Sequence, residues 1–384
     1  MSAVVAGWNR LPREGVAPVM SYLSPLLNRS GAVAAGGLDA GVASHYGDPN
    51  REQRLLAGYL GKAPTAVVDL SHRGVVTVSG PDRLSWLNTL SSQEMTRLAP
   101  NVGTELLLLT VQGRVEYDAR VVDDGETTWL IVETEEAAPL AQWLNSMKFM
   151  LRVEITDVSA DWAVLGSVVA VPEWSDFTVW EDPWPHVSAG GYSYAAVPDA
   201  EHPGLERPWF EYLIPAPALV ETVGQRPLAG VWAAEALRLA AWRPRRGAET
   251  DEKTIPHELD LMRTAVHLNK GCYKGQETIA RVHNLGRPPR RLVFLQLDGS
   301  LHTLPAVGSE VLLDERVVGT VTSSAQHYEM GPIALALIKR SVDPDAVLIV
   351  NDDGEQYPAN QELIVATDAG QVVGRQTGFL RAPR

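Results

Sequence analysis

The chain has 384 residues, 45% hydrophobic and 21% charged, with a net charge of −14. It is too apolar for a disordered chain and too acidic for a general nucleic-acid-binding surface, which leaves only a local basic pocket open. Its single cysteine excludes internal disulfides, no basic-then-apolar leader opens the sequence, and no apolar run nears the ~20 residues of a membrane helix, so a cytoplasmic protein of two or three domains is expected.

Residues 1–50 are rich in Gly, Ala, Ser and Pro and read as an N-terminal extension. Thr65–Leu70 and Val75–Ser79 read as strands joined by a turn at Gly74. Pro81 opens a helix whose apolar stripe is Leu84, Leu87 and Leu90. Glu105–Thr110, Arg114–Val122 and Thr127–Glu133, separated by Gln112-Gly113 and Asp123-Asp124-Gly125, form an expected antiparallel meander. Ala137–Met150 reads as helix and Leu151–Thr156 as strand. Hairpins mixed with helices, without βαβ crossovers, define an α+β class. Residues 172–208, dense in Pro, Gly and Trp, read as an irregular insert, and 209–215 (WFEYLIP) as a short strand.

The segment 230–242 reads as a helix with Trp232, Ala236 and Leu239 facing one way and Glu235 and Arg238 on another side, ended by Pro244 and Gly247. From Arg290 the pattern changes to short, evenly spaced strands: RLVFLQLDG, SEVLLDERVVGTVTSSA, PIALALIKR and ELIVAT. This predicts a separate small antiparallel barrel over 290–384, following an α+β region of two subdomains over 51–289.

Common chemical motifs are missing. No Gly-x-Gly-x-x-Gly, Walker loop, His-Glu-x-x-His or Cys-x-x-Cys occurs. His257, His267, Cys272 and His283 are the nearest metal-like set, but their spacing matches no standard zinc pattern, and a metal site is not expected. A Cys–His nucleophile pair lacks a third group to orient its base. Cys272 itself lies between Gly271 and Gly275, with Lys270, Lys274 and Arg281 nearby. Those cations would favour a thiolate if they face the sulfur, whereas a free cysteine is commonly a small buried hydrophobe. Spacing leaves both readings open.

The stretch Lys270-Gly271-Cys272-Tyr273-Lys274-Gly275-Gln276-Glu277 matches without a gap the K-G-C-[FY]-x-G-Q-E signature of the YgfZ family. These are folate-binding proteins similar to the aminomethyltransferase (T-protein) of the glycine cleavage system. TIPHE before the motif and ARVHN after it agree. VVDLSHRGVVTVSGPDRLSWLNTL, WFEYLIP, AEALRL, GTVTSSA and GPIALALI also resemble T-protein segments. The resemblance implies three packed parts around a central cavity that binds tetrahydrofolate or a one-carbon derivative. It also implies a role in assembling or repairing iron–sulfur enzymes, with those enzymes or their assembly machinery as partners and neither nucleic acid nor membrane. Any activity would be a folate-dependent one-carbon (aminomethyl) transfer; a true aminomethyltransferase and a non-catalytic folate sensor are the alternatives.

By the same resemblance Glu211 is the carboxylate that holds the pterin, which suits a group able to accept two N–H bonds side by side. Arg238 corresponds to the arginine of A-L-R-L, either meeting a folate carboxylate or pairing within the fold. The family's glutamate two residues on is Ala240 here. Lys270 and Tyr273 fall among the expected folate contacts, and Cys272 is the expected functional residue. The T-protein's Asp-Asp has only Asp118 as its counterpart here, with Tyr117 replacing the other aspartate. Glycine-cleavage chemistry depends on whether Asp118 faces the reacting nitrogen.

Overall fold

A computed structural model describes residues 22–285 and 287–370; the first part of the expected extension and the last residues assigned to the barrel lie outside them. Two five-stranded sheets and a closed six-stranded barrel form the body. One sheet runs Val179–Glu181, Phe210–Pro215, Trp162–Ser167, Val67–Asp69, Leu228–Ala229, antiparallel except at its last pair. The other runs Thr104–Leu109, Val115–Asp123, Thr127–Val132, Gly74–Ser79, Glu154–Asp157, antiparallel throughout. The first three of these strands are the expected meander. This is the α+β class with its terminal antiparallel barrel.

The two strands expected to be joined by a turn at Gly74 are not a hairpin. Val67–Asp69 pairs in the first sheet and Gly74–Ser79 in the second, and the chain crosses between them through buried Leu70–Arg73. The crossing is tight: a Cβ on Gly74 would lie 2.5 Å from the Ala137 Cβ, so the helix Ala137–Met147 could not pack there over a larger residue. The crossing delivers His72 and Arg73 to the junction of the two sheets.

Helix Val231–Ala240 also sits at that junction. Ala233, Ala234 and Leu237 join one hydrophobic cluster while Ala236 and Leu239 join another, so the helix is wedged between two cores. Trp232 does not share the inward face expected of it; it is 55% exposed and leans on His45. The helix already uses its small residues on both sides, and the large indole is left outside.

The irregular insert contains a strand, Val179–Glu181, whose buried Trp180 donates to the Thr104 carbonyl at 2.6 Å and so links the two sheets. In the barrel, Arg290–Leu297 pairs with both Gly331–Lys339 and Glu355–Leu363 to close the ring. Its alternation is read from both sides: Val293, Leu295 and Leu297 fill the lumen while Leu292 and Phe294 pack on the body. The final strands are Leu348–Asp352 and Glu355–Leu363, so ELIVAT marks the end of the last strand and not its whole extent.

Candidate functional site

Where the sheet crossing, strand Phe210–Pro215, helix Val231–Ala240 and the segment after it meet, they line one polar cavity. Arg73, Arg120, Arg207, Arg238, Arg243 and Arg245 face Asp39, Asp182, Glu211 and Glu235 across it. With these side chains in place the free space for the centre of a water-sized sphere is about 20 Å³, room for one or two waters. The cations are held by carboxylates of several segments: Arg243 binds Glu105 at 2.7 Å and Asp182 at 3.2 Å, and Arg245 binds Glu133 at 2.8 Å and Asp39 at 2.9 Å. Burial works against ionisation of Glu133, yet Arg245 holds its carboxyl down at about 2.

Glu211 stands in this wall, 1% exposed. Its Oε1 accepts from Arg73 Nη1, accepts from Trp209 Nε1 at 2.9 Å and lies 3.5 Å from Arg120 Nε. Burial opposes its charge, but Arg73 and Arg120 keep its carboxyl below the ordinary value. Its Oε2 is buried without a hydrogen-bond partner, as are Arg73 Nε, Arg207 Nε and Arg243 Nη1. Four unsatisfied polar atoms around one cavity suit a polar ligand carrying both N–H donors and acceptors, as a pterin does, because such atoms are costly when left unpaired.

Arg238 is at the same wall with its donors committed inside the protein. Nε is 3.0 Å from both Glu235 oxygens, Nη1 donates to Glu249 at 2.8 Å and to the Arg243 carbonyl at 2.6 Å, and Nη2 donates to Ser323 Oγ of the barrel at 3.0 Å. Of the two roles open for this residue, the geometry displays the ion pair within the fold.

Asp118 and Arg120 share the strand face that looks toward Glu105 and Arg243, since Asp118 pairs opposite Leu107 and Arg120 opposite Glu105. Tyr117 points to the other face, toward Trp143. Burial and the neighbouring Glu105 carboxylate hold the Asp118 carboxyl well above the usual range.

The cysteine loop is mounted from both ends. Lys270 Nζ donates to the carbonyls of Asn88 at 2.6 Å, Ser91 at 2.7 Å and Gln93 at 2.6 Å, closing the C-terminal end of helix Arg83–Leu90. Burial lowers its pKa to about 8. Gly275 has φ +87°, and a Cβ there would meet the Thr110 carbonyl oxygen at 2.6 Å and Gly113 Cα at 3.1 Å. The loop thus rests on the Gln112–Gly113 turn. Gly271, also expected to provide backbone freedom, has open space around it. Tyr273 is buried in the core, and Cys272 between these anchors is exposed. Neither flanking lysine is free to attend the thiol: Lys270 is spent on carbonyls, and Lys274 pairs with Glu116 at 3.1 Å.

The three histidines near Cys272 in sequence do not gather around it. His283 Nδ1 is 3.0 Å from Tyr194 Oη, His257 Nε2 is 3.2 Å from the Ile279 carbonyl, and the His267 ring lies against Gly190. Among the described residues no group of three or more His, Cys, Asp or Glu is placed to hold a metal ion.

Burial depresses His202 and His257 to about 3, so their neutral forms contribute stability above pH 6.5 that is lost as pH falls toward 3. Burial raises Glu136 and Asp260 to about 7, and their protonated forms contribute stability below pH 4 that is lost as pH rises toward 7. The slopes oppose each other between about pH 4 and 6.5. Stability is therefore expected to be nearly level from pH 7 to 5 and to fall steeply below about 4.5, where carboxylates such as Glu133 also begin to protonate. Urea midpoints against pH check this; a steady decline starting at 6.5 would show that Glu136 and Asp260 do not hold protons.

Sequence reasoning missed Arg73, Arg120, Arg207, Arg243 and Arg245. For Arg73, Arg243 and Arg245 the signal was a local one, since His72-Arg73 and Arg243-Pro244-Arg245-Arg246 are basic runs in an acidic chain; Arg120 and Arg207 stand in no such run.

Comparison with known proteins supports the architecture. Residues 62–168 match the GCVT N-terminal domain and residues 290–363 match the glycine cleavage T-protein C-terminal barrel domain. A protein named iron-sulfur cluster assembly factor IBA57 homolog, mitochondrial, from Aspergillus fumigatus is 26% identical over 344 residues, spanning 78% of this chain and 75% of its own. An aminomethyltransferase from Nostoc sp. is 28% identical over 313 residues, spanning 76% of this chain and 81% of its own. The crystal structure of glycine cleavage system aminomethyltransferase T from Bartonella henselae superposes with a TM-score of 0.69 at 16% identity, over 91% of this chain and 98% of that one. The chain therefore has a GcvT-like fold, with that fold's N-terminal domain and C-terminal barrel, and is homologous to the IBA57 proteins and the aminomethyltransferases.

Proposed function

We propose that this chain is a tetrahydrofolate-binding accessory protein of the YgfZ type, cytoplasmic, that supports assembly or repair of iron–sulfur enzymes, with Cys272 as its functional residue. The observation that carries the reading is the mounting of the thiol: Cys272 is exposed on a loop whose neighbours on both sides are anchored, Lys270 in three carbonyls and Gly275 against a hairpin turn. A cysteine kept only for packing would be inside. The homologues named as iron–sulfur cluster assembly factors supply the functional class. Tetrahydrofolate carries one-carbon units; Glu211 through Oε2, with the unpaired N–H groups of Arg207 and Arg243, would hold it.

Cys272→Ser is expected to leave the melting temperature and folate binding unchanged, since the side chain is exposed, and to lose support of iron–sulfur enzyme activity in a deletion strain. Iodoacetamide should alkylate the native thiol. Full complementation by the serine variant would remove Cys272 from the mechanism.

Aminomethyl transfer in a reconstituted glycine-cleavage assay is expected to be slight. Tyr117, in place of one aspartate of the pair, points to the opposite face of the strand toward Trp143, which leaves Asp118 as the single aspartate on the face that carries Glu105. Turnover equal to that of an authentic T-protein would overturn this.

A further inference from the structure

We propose that the cavity and the Cys272 loop are coupled through Glu105 and Thr264, so that a ligand in the cavity fixes the mount of the thiol. The inference rests on the folate reading above for its ligand and adds regulation to that site.

One run of hydrogen bonds joins the two places. It starts in the cavity wall at Arg243, whose Nη2 donates to Glu105 Oε1 at 2.7 Å. Thr264 Oγ1 donates to the other oxygen of Glu105 at 2.6 Å. The Thr264 carbonyl accepts from Gln93 Nε2 at 2.6 Å, and the next carbonyl, that of Ala265, accepts from Ser92 Oγ at 2.5 Å. The carbonyls of Ser91 and Gln93, on either side of Ser92, are two of the three that hold Lys270 Nζ, two residues before Cys272. Arg243, Glu105, Thr264, Ser92, Gln93 and Lys270 are all buried. Water therefore offers these groups no ready replacement for a lost partner, and a shift at one is felt as an unmet bond at the next.

The run is incomplete at its cavity end. Arg243 Nε is on Asp182 and Nη2 is on Glu105, while Nη1 is buried without a partner. A ligand that places an acceptor on Nη1 holds the guanidinium at all three nitrogens. That restrains Glu105 and, through Thr264, the 91–93 segment that cages Lys270. Ordering one site lowers the cost of ordering the other, and the effect is reciprocal. Cys272 is then offered in a fixed position when the cavity is loaded.

Lys270 must leave its three carbonyls to react, so its acetylation rate in the full chain, read by mass spectrometry, reports the mount. Tetrahydrofolate should slow this rate about fivefold in the wild type. Thr264→Val, which keeps the volume but lacks the hydroxyl, should still bind tetrahydrofolate and show no slowing. Thr264→Ser, which keeps the hydroxyl, should behave like the wild type. A second measurement needs no ligand. Asp182→Asn takes one carboxylate from Arg243 and should speed acetylation of Lys270, and the same change should add nothing in the Thr264→Val background. Additive effects of the two substitutions overturn the coupling. So does tetrahydrofolate that binds without slowing the wild type, or that still slows Thr264→Val, and both of these leave the folate reading standing. If no chain binds tetrahydrofolate and the substitutions are non-additive, the coupling stands and the folate reading falls.

Discussion

Arg238→Ala is expected to lower stability by about 3–5 kcal/mol, the usual cost of removing one partner from a buried ion pair. The guanidinium is 5% exposed and joins three parts of the molecule: Glu235 on its own helix, Glu249 in the segment after it, and Ser323 in the barrel. Without it Glu249, whose side chain is wholly buried, keeps bonds from the Arg245 amide at 2.8 Å and from Ser323 and Thr322 hydroxyls but has no guanidinium against it. The barrel also loses one of its polar ties to the body. Arg238→Lys should restore only part of the loss, because an ammonium cannot span Glu235 and Glu249 at once. Urea unfolding of the three proteins decides; a loss under about 1 kcal/mol for the alanine variant would show that Arg238 is free to serve a ligand.

Glu211→Ala is expected to weaken tetrahydrofolate binding by about ten- to a hundredfold, corresponding to roughly 1.5–3 kcal/mol for one charge-assisted partner. It should also lower the melting temperature, because Arg73 is left buried with no acceptor. The two effects separate by experiment: calorimetry reports the affinity and thermal unfolding the stability. Unchanged affinity would remove Glu211 from the binding site whatever happens to the melting temperature.

The elements were legible where a local pattern carried them. The meander over 104–132 followed from alternation broken by Gln112-Gly113 and Asp123-Asp124-Gly125, and the change of pattern at Arg290 marked the start of the barrel. Trp162–Ser167 and Val179–Glu181 were not legible. The first is buried almost throughout and lacks alternation, and the second is three residues set in a Pro- and Trp-rich stretch. Glu211 and Arg238 were reached through resemblance, and the structure sets both at one cavity. Lys270 was singled out by its motif, but its three carbonyl acceptors come from 177–182 residues away.

What the amino-acid sequence by itself determined is the set of helices and strands with strong local periodicity, the boundary at Arg290, and the glycine-bracketed loop around Cys272. Each rests on interactions between residues near in sequence, which a pattern records directly. The tertiary structure alone decided that Val67–Asp69 and Gly74–Ser79 join different sheets, and that the crossing between them brings Arg73 to Glu211, 138 positions away. Backbone pairing is chosen by long-range burial that no short window contains. A buried carboxylate finds its cation the same way: the energy lies in desolvation and proximity after folding, and residue type shows only that a charge is present.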